Sequence, residues 1–391
     1  MSTLRIALIL DVNKDYDRKV AAGIARYLDG RRRDRWSIYL EDEPAQRVPK
    51  FRSWHGDGVI ANLDDARIAA ALRHAAVPVV GVGGGYGGRR LLPRAPYVFT
   101  DNPGVARLAA THLLERACPS FAYCGYRTDA INGWSKERGE AFASALQASR
   151  LTCDTYAGSR GEARDWDTML DEIRKWLVSL TPPIGLFAAD DVRARHVLEA
   201  CRISGLRVPT DVAVVGVDND PLMCSFANPP LSSVIQDAEG VGWEAARTLD
   251  MLLRGQKAPL SRVIPPVGLE ARASTSVFHS RDPLIAAAVT FIHSRVMDRI
   301  QVNDVAKHTG VSVSTLEGRF RKILGKTVHK EILGSQLDRA EHLLRTGDLP
   351  VADVARESGF ASVQYFCRLF HQRKGCPPGR YRQRYGAGVG V

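Results

Sequence analysis

The chain has 391 residues, with 54 Lys and Arg against 43 Asp and Glu for a formal charge of +11, and it is 45% hydrophobic and 25% charged. That length suggests two or three domains, and the composition excludes a disordered, collagenous or fibrous-repeat protein. No apolar stretch approaches the ~18 residues of a membrane helix, and Leu4 to Leu10 reads as a strand with no secretory signal ahead of it, so a cytoplasmic protein with no membrane partner is expected.

Taken in chain order, apolar runs predict strands at residues 5–10, 58–61, 77–82, 121–125, 184–189 and 212–217. Helical spacing lies between them, as at Val20, Ile24, Tyr27 and Leu28, and at Phe142 and Leu146. Continuous apolar strands alternating with helices predict parallel sheets covered on both faces, an α/β architecture. Such sheets hold ligands beyond the carboxyl ends of their strands. There the chain turns polar, with Asp11, Asn13, Tyr16 and Asp17 after the first strand, Asp190 and Asp191 after the fifth, and Asp218, Asn219 and Asp220 after the sixth. Carboxylates and amides bond hydroxyls, an aromatic ring covers a CH face, and arginine donates a fork of N–H groups, which together make a sugar-recognition set. The competing reading is that acids after strands form turns and cap helices. The stretch GVGGGYGG (81–88) is followed by RRLLPRAP, whose prolines and lack of helical period rule out a dinucleotide fingerprint and leave a loop near the cleft.

The segments DVNKDYDRKVAAG, YVFTDNPGVARLAATHL, SKERGEAF, GLFAADDVRARHVLEAC, VPTDVAVVGVDN and PPLSSVIQDAEGVGWEAA fall in one order at suitable intervals. They resemble the periplasmic-binding-protein core of the lac-repressor family over most of the first 280 residues. The resemblance implies two α/β lobes closing on a sugar. It implies Asn13 and Tyr16, with Asp17 beside them, as first-loop ligands, Arg138 as the sugar-clamping arginine and Asp218 as hydroxyl acceptor. Asp190 or Asp191 takes the place of the polar group after the lobe-two strand, and Gln236 that of a late crossover ligand. The family's amino-terminal DNA-binding headpiece is not found, which assigns DNA binding to another part.

Residues 281–391 carry 18 Lys and Arg against 10 Asp and Glu, while the first 280 carry 36 against 33. An excess gathered at one end suggests a polyanion-binding domain. Two segments there resemble each other. Residues 300–325 place Ala306, Gly310 and Leu316 where residues 349–375 place Ala355, Gly359 and Phe366. In a helix-turn-helix the alanine lets the second helix cross, the glycine makes the turn, and the later apolar residue anchors the second helix. Ser312 or Ser314, and Ser362, stand at cap positions, so second helices are predicted at 313–324 and 363–374. Phe320, Phe366, Leu369 and Phe370 are expected in the core. An amphipathic helix is predicted between the motifs at 327–345, roughly 28 Å long at 1.5 Å per residue.

This pattern, with LLRTGDLPVADVARESGFASVQYFCRLFHQRKGCPPGRYR, resembles the AraC type of DNA-binding domain. By position the resemblance implies base reading by Ser314, Glu317 and Gly318 in the first motif and by Val363, Gln364 and Arg368 in the second. Gly318 stands where a basic residue is common in the family. Arg319, Arg321, Lys322 and Arg373 suit phosphates, whereas glutamine pairs with adenine and arginine with guanine in two-pronged contacts.

The expected domains are therefore a two-lobe sugar-binding domain at 1–280 and an all-α DNA-binding domain with two helix-turn-helix motifs at 281–391. The seven cysteines never form C-x-x-C, and the histidines lack ligand spacing, so no metal and no cofactor is expected. The two resemblances imply a sugar-responsive transcription regulator, expected to activate pentose catabolic genes with xylose as effector. Its expected partners are an operator in double-stranded DNA, RNA polymerase and a second copy of the chain as a homodimer. The alternative is a sugar- or nucleotide-processing α/β enzyme with a regulatory DNA-binding tail, but no nucleophile elbow, Walker loop or H-E-x-x-H is present.

Overall fold

The computed structural model describes residues 3–29, 36–41, 54–85, 92–127, 133–158, 165–279 and 282–385. Residues 86–91, which include the end of the glycine-rich stretch, lie outside the described residues. The chain divides into two compact units, Met1–Leu114 with Pro119–Thr275, and Glu115–Cys118 with Ser276–Val391.

In the first unit, strands β1 (Leu4–Ile9), β2 (Trp36–Glu41), β3 (Gly58–Asn62), β4 (Val79–Gly83) and β5 (Tyr97–Thr100) build lobe one. Strands β6 (Ser120–Cys124), β7 (Cys153–Tyr156), β8 (Ile184–Ala188), β9 (Val212–Val217) and β10 (Ser232–Ile235) build lobe two. The chain then returns to lobe one with β11 (Ser261–Ile264) and to lobe two with β12 (Gly268–Glu270). The strand orders are β11-β5-β4-β3-β1-β2 and β12-β10-β9-β8-β6-β7. All described pairings are parallel except β10 with β12. The central strands are buried on both faces, as the continuous apolar runs require. All six predicted strands form. The other six are shorter, more polar or at sheet edges, and they carry no continuous apolar signal.

Helices α1 (Asp15–Leu28), α2 (Ala66–Leu72), α3 (Asn102–Glu115), α4 (Gly133–Gln147), α5 (Trp166–Ser179), α6 (Asp191–Ile203), α7 (Pro221–Phe226) and α8 (Ala238–Leu253) cover the sheets. α8 follows a lobe-two strand yet packs on α1 in lobe one, where Val241, Ala245 and Leu249 meet Val20 and Ile24. That crossing depends on glycine. A Cβ on Gly23 would lie 2.0 Å from the Glu239 carbonyl oxygen, and one on Gly242 would lie 1.9 Å from that of Val20. The backbone thus passes between lobes three times, at the head of α3, between β10 and α8, and between β11 and β12. Asn102 and Gln236 stand in the first two of these crossings.

The second unit holds α9 (Pro283–Ser294), α10 (Val302–Thr309), α11 (Val313–Leu324), α12 (Val328–Thr346), α13 (Val351–Glu357), α14 (Val363–Lys374) and α15 (Pro378–Tyr385). The two second helices of the motifs span 313–324 and 363–374, as the spacing predicts. Ser312 rather than Ser314 caps the first, accepting from Thr315 N at 3.2 Å, and Ser362 caps the second. α12 begins one residue later than predicted and serves two cores. Val328 and Ile332 pack with Leu316 and Phe320 of the first motif, whereas Leu337, Ala340 and Leu344 pack with Phe366 and Phe370 of the second. Leu369 is half-buried against that second core. The fold class is an α/β two-lobe core followed by an all-α domain with two helix-turn-helix motifs.

Candidate functional site

The cleft between the lobes is organised by Arg138, which is 2% exposed. Its Nε donates to Asn102 Oδ1 at 2.8 Å, Nη1 to the Ala189 carbonyl at 2.5 Å, and Nη2 to Gln236 Oε1 at 2.9 Å. Three of five N–H groups are thereby fixed, and two remain to donate elsewhere. Gln236 passes the network on by donating Nε2 to Asp218 Oδ1. Asp218 and Asn219 have φ of +108° and +50°, a left-handed backbone that residues with side chains rarely adopt. This turn aims the Asp218 carbonyl at Lys19 of α1, whose Nζ lies 2.7 Å away. Burial pushes the Asp218 carboxyl up to about 7, against the opposing pull of Arg138 and Lys19.

The other expected ligands divide into two groups. Tyr16 lies on the lobe-one side, its hydroxyl donating to the Gly83 carbonyl at 2.6 Å and 3.2 Å from Thr100 Oγ1. Asp190 caps α6 by accepting from Arg193 N at 2.7 Å, and it also accepts from the Tyr126 hydroxyl at 2.9 Å. Asp17 and Asp191, in contrast, are each only 1% exposed and spend both oxygens inside their own lobes. Asp17 accepts from Asn62 Nδ2 and from Asp11 N, both at 2.8 Å. Asp191 accepts from Ser233 Oγ at 2.6 Å and Asp220 N at 2.8 Å, which ties β10 to the loop after β9. Burial raises both carboxyls, Asp17 to about 6 and Asp191, with Asp218 adding repulsion, well above the ordinary carboxylate range. Asn13 is exposed, and its backbone N–H and side-chain amide both donate to Asp11 Oδ1.

The cleft also holds residues that the sequence reading leaves out. Asn102 is fully buried and holds Arg138. Trp134 lies beneath the guanidinium at 4.7 Å, and Tyr126 meets Trp134 edge-on with centroids 5.8 Å apart. Asp64 accepts from Gly84 N at 2.7 Å and from the Tyr97 hydroxyl at 3.1 Å, and burial pushes its carboxyl up to about 7. Asn102 and Asp64 do follow predicted or short strands, so the strand-end rule could have found them. Tyr126, directly after the strand predicted at 121–125, falls under the same rule, whereas Trp134 lies in the first turn of α4 and carries no such signal.

In the second unit, Ser314, Arg319, Arg321, Lys322, Gln364, Arg368 and Arg373 are exposed, and Glu317 is half-buried. Gln364 accepts from Ser362 Oγ at 3.0 Å. The Arg368 guanidinium lies 5.4 Å from the Tyr365 ring centre, while Glu357 pairs with Arg356 at 3.9 Å. Arg319 pairs with Asp282 and Arg373 with Asp338, each at 3.0 Å. Among the described residues no group of three or more His, Cys, Asp or Glu could hold a metal, and no helix is long and apolar enough to cross a membrane.

A two-lobe periplasmic-binding-protein-like core in one chain with paired helix-turn-helix motifs defines a DNA-binding transcription regulator with a ligand-sensing core. Family comparisons agree on each part. Residues 5–103 match the XylR N-terminal domain, 110–275 a periplasmic binding protein-like domain, and 305–384 a helix-turn-helix domain. Over 379 residues the chain is 34% identical to the xylose operon regulatory protein of Haemophilus influenzae, covering 97% of this chain and 98% of that one. The Escherichia coli K12 protein of the same name is likewise 34% identical, with coverage of 97% and 96%. A solved structure of a xylose-binding transcription activator, XylR, superposes with a TM-score of 0.65 at 33% identity over 99% of both chains. The chain belongs to the xylose operon regulatory protein family. These relatives are transcription regulators and not enzymes, which sets aside the enzyme alternative.

Proposed function

We propose that the chain is a cytoplasmic activator that binds xylose in its cleft and, in response, an operator in double-stranded DNA. The observation that carries the sugar reading is Arg138, buried with three donors fixed and two to spare, beside the Asp218 acceptor. A neutral polyol suits this set, because it supplies both acceptors for the guanidinium and donors for the carboxylate without bringing a net charge into a buried site. Tyr16, Asp190 and Gln236 complete the ligand set in this reading, and Asn13 covers its mouth. Asp17 and Asp191 support the walls instead of touching the sugar, since their oxygens are already bonded.

For DNA, Gln364 and Arg368 read bases from α14, and Ser314 and Glu317 contribute from α11. Arg319, Arg321, Lys322 and Arg373 contact phosphates, Arg319 and Arg373 after release from Asp282 and Asp338. The chain acts as a homodimer that presents four helix-turn-helix motifs over two half-sites and engages RNA polymerase. The solved relative is a transcription activator, which supports this direction of control. Isothermal titration of the full chain against D-xylose, L-arabinose, D-ribose and D-glucose tests the reading. D-Xylose should bind tightest, and heat from none of the four would refute it.

A further inference from the structure

The glycine-rich stretch begins within β4, and its backbone already serves the cleft by accepting from the Tyr16 hydroxyl at Gly83 and donating to Asp64 at Gly84. Its described part ends with Gly83, Gly84 and Gly85, all buried. A Cβ on Gly85 would meet Glu137 Oε2 at 2.7 Å, Asn102 Nδ2 at 2.9 Å and Trp134 Cβ at 3.0 Å, and one on Gly84 would meet Trp134 Cγ at 3.3 Å. Trp134 and Glu137 belong to α4 of lobe two, so a lobe-one strand end lies directly against lobe two with no side chain between them. Asn102 bridges this contact. Its Nδ2 donates to the Gly84 carbonyl at 2.7 Å and to Glu137 Oε2 at 2.9 Å, while its Oδ1 receives Arg138 Nε at 2.8 Å. The amide that orients Arg138 is therefore the amide that ties one lobe to the other.

We propose that Gly85, Asn102 and Glu137 form an interlobe latch that holds the cleft shut over its ligand, with Gly85 and Glu137 acting as positioning residues. The inference rests on the sugar-binding reading of the cleft. A side chain at position 85 could be fitted only by moving Glu137 Oε2 and Asn102 Nδ2, which breaks the bridge. Sugar enters the open form and leaves only after reopening, so a broken latch accelerates departure and does not slow entry.

The test uses the full chain as wild type, Gly85→Ala, Glu137→Ala, Glu137→Gln and the double variant Gly85→Ala with Glu137→Ala. Stopped-flow tryptophan fluorescence with D-xylose gives both rates. Pulsed EPR between non-natural spin-labelled residues at exposed Ala75 of lobe one and Gln147 of lobe two gives lobe separation without sugar. Either alanine variant should raise the dissociation rate about fivefold or more, leave association no slower than in wild type, and lengthen the label distance. Glu137→Gln should stay near wild type, because its amide oxygen still accepts from Asn102, and the double variant should be no worse than the worse single one. Unchanged label distances in both alanine variants, strictly additive effects, or a glutamine variant as poor as alanine would each overturn the latch. If wild type binds no pentose, the cleft reading fails and the label distances alone decide the latch.

Discussion

Asp218 combines a rarely adopted backbone, φ +108°, with a carboxyl that burial raises to about 7, beside a buried arginine. A residue held this way costs about 1 to 3 kcal/mol of strain, a cost that persists where the surroundings determine it. Here Lys19 bonds the carbonyl and Gln236 the carboxylate. Asp218→Ala leaves the Gln236 amide without its acceptor and removes the proposed hydroxyl acceptor, a loss of roughly 1 to 3 kcal/mol. Titration should report sugar binding weaker by about fivefold to 150-fold, and unchanged affinity would remove Asp218 from the site. Asp17 yields a pH prediction. Its native carboxyl is raised from 3.8 to about 6, so the native state binds the proton more tightly than the unfolded chain. The stability this contributes is full below 3.8 and is lost as pH rises through about 6. Asp17→Asn cannot ionise, so its melting temperature relative to wild type should climb between pH 4 and pH 7, whatever the constant cost of the amide. A difference that stays flat over that range, by differential scanning calorimetry, would mean that Asp17 does not titrate there.

At the scale of elements, two glycines in the helix-turn-helix motifs should answer the same substitution with opposite signs. Gly318 lies within α11, and a Cβ placed there would have nothing within 4 Å. Gly318→Ala should therefore stabilise by about 0.5 to 1 kcal/mol, through helix propensity alone. Gly359 has φ +81°, and a Cβ there would lie 2.2 Å from the Val296 carbonyl oxygen. Gly359→Ala should destabilise by more than about 1 kcal/mol. Urea unfolding of both variants checks the pair, and a Gly359→Ala variant no less stable than wild type would show that turn geometry does not govern Gly359. The proposed DNA contacts separate base reading from phosphate holding. Gln364 and Arg368 are exposed at i and i+4 on α14, so one face of the helix presents both. Losing Arg368 should cost about 1 to 3 kcal/mol at the cognate site and relax preference at one base pair. Losing Arg373 should weaken all sequences alike and lower the salt slope by about one charge. Binding-site selection with each alanine variant decides between these outcomes, and an unchanged base preference for Arg368→Ala would exclude it from reading.

For the whole molecule, the proposed homodimer predicts twice the chain mass of 42.9 kDa by light scattering at micromolar concentration. A monomer with and without operator DNA would exclude it. Much of the architecture is legible in the sequence because it rests on local chemistry. Continuous apolar runs form strands wherever both faces are buried, and the spacing of Ala, Gly and Leu or Phe, with a serine cap, is enough to delimit α11 and α14. Arg138, Asp218 and Gln236, which the family resemblance singles out, lie in one hydrogen-bonded chain in the cleft. Which polar groups face one another is a matter for the folded chain alone. Asp17 and Asp218 both follow strands, yet one is consumed by Asn62, 45 residues away, and the other meets Gln236 and, through it, Arg138. Distant partners of this kind determine whether a carboxylate is structural or available. Asn102, Trp134 and Gly85 come together only because the chain crosses between lobes three times. Sequence periodicity records which face of an element is buried, but no local pattern records what that crossing places opposite it.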